Sequence, residues 1–574
     1  MNDRPDAIER LENRLEALER RVSALEQPLA VHLPPPATEP KKALVPQTAG
    51  ATASALAKSI FSVLGIALLG IAGAYVLRAL EQTGPLPRVA VAGVGIVYAF
   101  LWLTWAACVR GGPRFTSSIY AATSALILAP MLWELTLRFK VLPASVAAVL
   151  VCGYALAAFA LQWKHDLKPV LRVAYIAATG LALALAFASY ALLPFVVVLL
   201  VLVAVCEFVP GCDRVPEVVA LVALAADAAI WVLIYVYFAG QNALADYPTL
   251  SRGALLAPGI AVFVLFTASV CLKTLLHARP ITAFATVQTV IAFLLAAVSL
   301  ADFGQPDGTT ILGVACLILS AACYAAVFTV FARSSAERNT TVFAPKRNAA
   351  VFAAWAAALV LAGSFLCLPP LPMIVLLGVA TLAAMGVGRH PHWTVFEFYG
   401  MVFLLAAAAA SGLLGFLVSV FLGTPSGAPA AGVWLIAVCA VLCYMLVRPR
   451  EGERWRPQVL HLGFAALAAG ALAALLVDGL FALTALRVTP GAQHLALIRT
   501  VALCAAALVL VFGGAHWRRR ELTRLGYAAL GLVAVKLVTE DLRHGHLGYI
   551  AASIFLVALT LLAAPRVARA RRKG

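Results

Sequence analysis

The sequence predicts an all-α protein: a polytopic transmembrane bundle of about eighteen spans, with an N-terminal cytoplasmic coiled-coil helix. Apolar stretches of about 20 residues recur from Ser59 to Ala564, and this length crosses a hydrocarbon core of ~30 Å. Hydrophobic residues make up 63% of the chain and charged residues only 12%, with a mean hydropathy of +0.95. Because every backbone polar group in lipid must be satisfied within the protein, we interpret the apolar stretches as helices.

Composition divides the chain into four segments. Residues 1–30 are charged and hold the predicted cytoplasmic coiled coil, and residues 31–58 form a linker rich in Pro and Ala. Residues 59–564 form the polytopic membrane domain, and residues 565–574 form a basic cytoplasmic tail. Pro clusters in the linker favour an extended, semi-rigid chain.

The first segment has the apolar spacing of a coiled coil, with intervals that alternate between three and four residues. The apolar positions are Ile8, Leu11, Leu15, Leu18, Val22 and Leu25. In this register a parallel dimer would pair Arg14 with Glu19 and Arg21 with Glu26 of the second copy, which predicts a homo-oligomer. The alternative is a single amphipathic helix that packs on the rest of the protein or on a cytoplasmic partner, because about three heptads make a short pattern.

The predicted spans follow one another closely, with tight hairpins at Ala191 and at Pro369-Pro370. They are 59–80, 89–109, 115–137, 141–161, 170–190, 192–209, 216–239, 254–276, 281–301, 310–332, 349–368, 370–388, 395–422, 431–447, 458–483, 495–515, 525–542 and 547–564. With a cytoplasmic N-terminus, roughly 29 Lys and Arg residues lie near the inner ends of the spans and about 8 near the outer ends. This bias predicts that both termini are cytoplasmic and that the number of spans is even.

Composition and motifs exclude several classes of function. The net charge of +17 resides in short loops between spans. We therefore predict that the protein's partner is the lipid bilayer and that the protein binds no nucleic acid. Most of the eleven cysteines fall inside spans, where no disulfide framework is expected. The pairs His390/His392 and His544/His546 lack further ligands at metal-site spacing. No nucleotide, zinc-protease or nucleophile motif occurs, so we predict no cofactor, and no motif indicates an enzymatic reaction.

Two ionisable residues lie deep inside predicted spans, and charges at such positions are functional candidates. Asp227 and Lys536 each lie about eleven residues from the inner end of their span, roughly 16 Å deep and near the midplane. They form either a proton or ion relay, a counter-charge for a polar substrate, or structural contacts between helices. Lys536 has a local partner in Glu540, one helical turn further on, with Asp541 beside it.

Other acidic residues lie near the ends of spans, where we predict interfacial positions. These are Glu134, Glu207, Asp302, Glu397 and Asp478.

The first span ends Tyr75-Val-Leu-Arg78-Ala-Leu-Glu81-Gln-Thr-Gly84-Pro-Leu-Pro-Arg88, and the last hairpin carries Lys536-Leu-Val-Thr-Glu-Asp541-Leu. In these segments and in the order of its parts, the chain resembles a bacterial family of predicted membrane proteins, domain-of-unknown-function family 2339. The resemblance implies a bacterial inner-membrane location and brings no established activity. Within the matching segments we single out five positions: Arg78, Glu81, Arg88, Lys536 and Asp541.

Three functions fit these observations. The first is a membrane scaffold or assembly factor that associates through its coiled coil. The second is a secondary transporter or lipid-handling protein that uses the charges at mid-depth. The third is a membrane-embedded transferase that acts on a lipid-linked substrate.

Overall fold

The computed structural model divides into two units, residues 1–69 and 70–574. In the first unit it describes residues 64–69, which are helical, so the predicted coiled coil and linker lie outside the described residues. In the second unit it describes residues 70, 72–73, 88–108, 114–165, 167–209, 215–238, 247–304, 307–331, 343–390, 393–422, 429–446, 455–485, 492–517, 519–541 and 547–570.

The second unit is built from α-helices, and its described ranges contain no strand. In chain order they are α1 (Arg88–Cys108), α2 (Arg114–Trp133), α3 (Ala144–His165), α4 (Lys168–Ala188), α5 (Leu192–Phe208), α6 (Pro216–Phe238), α7 (Arg252–Cys271), α8 (Ala283–Phe303), α9 (Gly308–Ala326), α10 (Phe343–Cys367), α11 (Pro370–Gly388), α12 (Val395–Ala410), α13 (Leu413–Leu422), α14 (Ala431–Leu446), α15 (Trp455–Ala485), α16 (Ala492–His516), α17 (Arg520–Lys536) and α18 (Leu547–Ala570). The all-helical prediction is confirmed for this part of the chain.

Most of these helices have the length and composition of membrane spans. Fourteen are long and apolar enough to cross a bilayer, and the bent pair α12 and α13 passes the same test as one broken span. Two predicted spans correspond to the shorter apolar helices α5 and α14. The first predicted span falls mostly outside the described residues. The chain is therefore a multi-pass helical protein of the membrane type, with fourteen to fifteen spanning helices in its described part.

Neighbouring helices pack as hairpins, and close approach at small residues holds them together. Both predicted hairpins form, because α4 ends three residues before Ala191 and α10 ends at Cys367, just before Pro369. At the interface of α9 with α10, a Cβ added at Gly363 would lie 2.8 Å from the Gly313 carbonyl oxygen. Contacts between non-sequential helices, such as α2 with α4, α11 with α14 and α16 with α18, join the hairpins into the bundle.

Within the described ranges, four helices end in a π-helical turn of five residues, a recurrence that the sequence pattern did not reveal. The turns are Glu134–Arg138 after α2, Leu272–Leu276 after α7, Val327–Phe331 after α9 and Leu537–Asp541 after α17. Threonine occupies the third position of each turn, as Thr136, Thr274, Thr329 and Thr539. The last three donate their hydroxyl to the carbonyl four residues earlier, at 2.7, 2.6 and 3.0 Å. Such a bond satisfies a carbonyl that the wider turn leaves without its usual amide.

The predicted span 395–422 is broken in the middle. Its two halves, α12 and α13, meet at an angle of 65° across Ser411 and Gly412. Gly412 has φ +77°, a left-handed conformation that glycine adopts without steric penalty. The chain therefore changes direction within the predicted span, and α13 does not continue the axis of α12.

Candidate functional site

Ionisable side chains from two helices meet at the carbonyl end of α13. Arg499, on α16, is buried, with only 4% of its surface exposed. Its Nε donates to the carbonyl oxygen of Val420 on α13, and its Nη1 donates to Oε1 of Glu540, each at 2.7 Å. Val420 is among the last four residues of α13, whose carbonyls have no partner within the helix. A cation at this end of a helix is also favoured by the helix dipole.

Lys536 completes this group, which we call the Arg499 cluster: Arg499, Thr500, Lys536 and Glu540. The Lys536 ammonium donates to the carbonyl oxygen of Ala496 at 2.6 Å and to Thr500 Oγ1 at 2.7 Å. It lies 3.7 Å from Glu540 Oε2, so the predicted pairing of these two residues is observed. Glu540 nevertheless lies closer to Arg499, which gives one carboxylate two cationic neighbours.

The helix α17 is longer than the apolar stretch that predicted it. The apolar stretch begins at residue 525, but the helix begins at Arg520, and Lys536 is its last residue before the π-turn. The depth of Lys536 near the midplane stays a prediction from the apolar stretch. The π-turn carries Glu540, whose side chain is 29% exposed and is the most accessible of the three charged groups.

Asp227 forms a separate polar site in the middle of α6. Its side chain is buried, and Gln288 on α8 donates its Nε2 to Oδ2 at 2.5 Å. The second oxygen, Oδ1, is buried and has no hydrogen-bond partner among the described residues. Because α6 packs against α4, α5, α7 and α8, whereas α17 packs against α15, α16 and α18, Asp227 and Lys536 do not belong to one site.

Two of the acidic residues predicted at span ends have buried side chains. Glu207, on α5, accepts hydrogen bonds from Ser269 at 2.5 Å and from Lys273 at 2.6 Å. Glu397, in the first turn of α12, lies 3.7 Å from the Nε2 of His461 on α15. Both lie near helix ends, as expected, but they face protein groups rather than an interface. Asp302, by contrast, is exposed at the end of α8.

The remaining predicted positions have little structural description. Arg78 and Glu81 lie outside the described residues. Arg88 begins α1 and Asp541 closes the last π-turn, while the side chains of both lie outside the description. In the described ranges, no three His, Cys, Asp or Glu residues group closely enough to hold a metal ion.

Sequence reasoning missed Arg499, Thr500 and Gln288, the groups that contact the predicted charges. A signal for Arg499 was present, because an arginine inside the apolar stretch 495–515 is itself a costly intramembrane charge. The partners themselves needed the structure, because Arg499 and Glu540 are 41 residues apart. A guanidinium and an ammonium that both lie beside one carboxylate can hold an anionic group. Comparisons with protein-family models, curated proteins and solved structures found no match to this chain.

Proposed function

We propose that this chain is a multi-pass membrane transport protein that recognises an anionic group at the Arg499 cluster. The observation that carries the proposal is Glu540, a carboxylate beside Arg499 and Lys536, whose side chains are only 5% and 11% exposed. Charges inside membrane helices are costly and mark substrate or ion pathways. Arg499 also contacts Val420 in the second half of a broken span, and transporters commonly use discontinuous helices in such sites.

Glu540 acts in this proposal as an internal substitute for the substrate anion. It is the most accessible member of the cluster and lies on a π-turn, so it is the group best placed to leave. An incoming carboxylate or phosphate would take over its hydrogen bond from Arg499. Because Arg499 also donates to Val420, the exchange would act on a residue that contacts α13, the second half of the broken span.

The test is thermal unfolding of the purified protein in detergent, with phosphate, sulfate or acetate titrated at constant ionic strength against a chloride control. A ligand present at 100 times its dissociation constant stabilises the folded state by about 2.7 kcal/mol. We expect Glu540→Gln to increase the anion-dependent stabilisation, because it removes the competing carboxylate. The control is Glu217→Gln, which removes the carboxylate of the exposed pair with Arg172. If no anion stabilises either the wild type or Glu540→Gln beyond chloride, the transport proposal is wrong.

A membrane scaffold is the second candidate, and one observation favours it. The Lys536 ammonium contacts three acceptors within the bundle, as expected of a cation that joins helices and does nothing else. In this case the predicted coiled coil at residues 6–27 supplies the activity by self-association or by binding a cytoplasmic partner. The scaffold is favoured over the transporter if anions do not change the thermal stability of the protein and if the protein self-associates through residues 6–27.

The bacterial inner membrane, with both termini in the cytoplasm, is the location we propose. The excess of Lys and Arg at the predicted inner ends of the spans supports this orientation. The resemblance to domain-of-unknown-function family 2339 supports the bacterial assignment.

A further inference from the structure

Asp227 differs from three other carboxylates that contact groups on neighbouring helices. Glu207 contacts Lys273, Glu540 contacts Arg499 and Glu397 lies beside His461, so each has a basic neighbour. Asp227 has a neutral amide in that position, from Gln288. Its side chain is 6% exposed, and Oδ1 is buried without a hydrogen-bond partner among the described residues. A buried carboxylate oxygen without a hydrogen-bond partner destabilises the folded state.

The pair of Asp227 with Gln288 suits a group that changes its protonation state. A lysine or arginine partner would hold a carboxylate in its ionised form. The amide of Gln288 serves both forms, because its NH2 donates to a carboxylate and its carbonyl, after a flip of the amide, accepts from a carboxylic acid. The unpartnered Oδ1 is then the position at which the proton is gained or lost.

We infer that Asp227 is a proton-binding site, with Gln288 as the positioning residue that contacts it in both states. Uptake forms one O–H bond on the carboxylate with a proton from water, and release returns that proton to water. A metal ion fits the site less well, because no three candidate ligands group together in the described part of the chain. Linkage of this proton to movement of the anion at Arg499 rests on the proposed transport function, whereas proton binding itself does not.

Few titratable groups lie on the helices that pack against α6. Tyr175, which is buried, lies within α4 rather than at its end. Most of the other titratable groups lie close to helix ends. They are Lys168 and Arg172 on α4, Cys206 and Glu207 on α5, Arg252, Cys271 and Lys273 on α7 with its π-turn, and Asp302 on α8, while α6 itself carries Glu217, Tyr235 and Tyr237. Glu207 is engaged with Lys273, and Arg172 with Glu217.

Infrared difference spectroscopy of the purified full-length protein, recorded as pH is stepped, tests the inference directly. We expect a carboxylic-acid C=O band that changes intensity with pH and shifts in deuterated water. The band should be absent in Asp227→Asn and unchanged in Asp302→Asn, which alters an exposed aspartate on the neighbouring helix. Gln288→Met, which removes the amide but keeps the volume, should move the band to a different frequency without abolishing it.

A band that persists in Asp227→Asn, or a wild-type spectrum without a pH-dependent acid band, would overturn the inference. If Asp227→Asn does not fold, the frequency shift in Gln288→Met decides, because only an acid in contact with that amide responds to it. This readout is independent of anion binding. If anions do not stabilise the protein in the unfolding assay but the Asp227 band is present, the transport proposal is refuted and the proton-binding site remains.

Discussion

Arg499 and Glu540 should depend on each other energetically, and this dependence can be measured. We consider Arg499→Met, Glu540→Gln and the double variant. Arg499→Met removes the donor to the Val420 carbonyl as well as the donor to Glu540, and leaves the carboxylate with Lys536 at 3.7 Å. Glu540→Gln keeps an oxygen that can accept from Arg499 but removes the negative charge.

The structure sets the size of each effect. Removal of one partner from a buried pair costs about 3–5 kcal/mol, and we expect about 3 kcal/mol for Arg499→Met because the Glu540 side chain is 29% exposed. Glu540→Gln exchanges a charged hydrogen bond for a neutral one and should cost about 1 kcal/mol. In the double variant no carboxylate remains to be left unpaired. Its cost should therefore fall below the sum of the single variants, with a coupling energy of about 1–2 kcal/mol.

The assay is reversible unfolding in mixed micelles, with the fraction of denaturing detergent increased stepwise and helix content followed by circular dichroism. The control cycle uses Arg172→Met and Glu217→Gln, an exposed pair at the same distance of 2.7 Å, for which we expect a coupling of about 0–1 kcal/mol. If the costs of Arg499→Met and Glu540→Gln add within about 0.5 kcal/mol, the two residues do not interact energetically. The reasoning that treats Arg499 and Glu540 as one site is then wrong.

Two further predictions concern the packing of α17 and the topology of the chain. In the same unfolding assay, Gly526→Ala should be about 1–3 kcal/mol less stable than Gly531→Ala. A Cβ added at Gly526 would lie 3.0 Å from the Ala507 carbonyl oxygen, whereas a Cβ added at Gly531 would have no atom within 4 Å. Equal stability of the two variants would contradict the observed packing of α16 on α17. Reporters fused after Lys573 and within residues 34–48 should report cytoplasm, and one within residues 240–252 the periplasm; a periplasmic terminus would reverse the assigned orientation.

Hydropathy predicted the helices well because burial of a backbone in lipid allows few alternatives to a helix. The same reasoning cannot locate a break inside an apolar run. After Glu397, residues 398–422 carry no charged side chain, and the break at Gly412 depends on a left-handed backbone conformation that hydropathy does not register. Glycine at this position permits the bend, but other glycines, such as Gly531, lie in continuous helices.

Two of the charges singled out from the sequence, Lys536 and Asp227, contact side chains that the sequence did not point to. Lys536 and Glu540 lie on one helix and its π-turn, so their spacing in the sequence is enough to pair them. Arg499 and Gln288 contact their partners across interfaces between helices that are distant in the sequence. One sequence does not specify which helices touch, so these contacts could not be predicted from it.

The charged residues at the start of α17 extend the helix beyond its apolar stretch. The helix begins at Arg520 and continues through Glu521 and Arg524, whereas the apolar stretch begins at residue 525. Lys536 is therefore the last residue of the α-helix, although it lies only about eleven residues into the apolar stretch. In α6 the helix and the apolar stretch both begin at Pro216, so both counts place Asp227 at the middle of the helix. Hydropathy predicts the part of a helix that tolerates lipid, and the charged ends of the same helix need the structure because lipid does not select them.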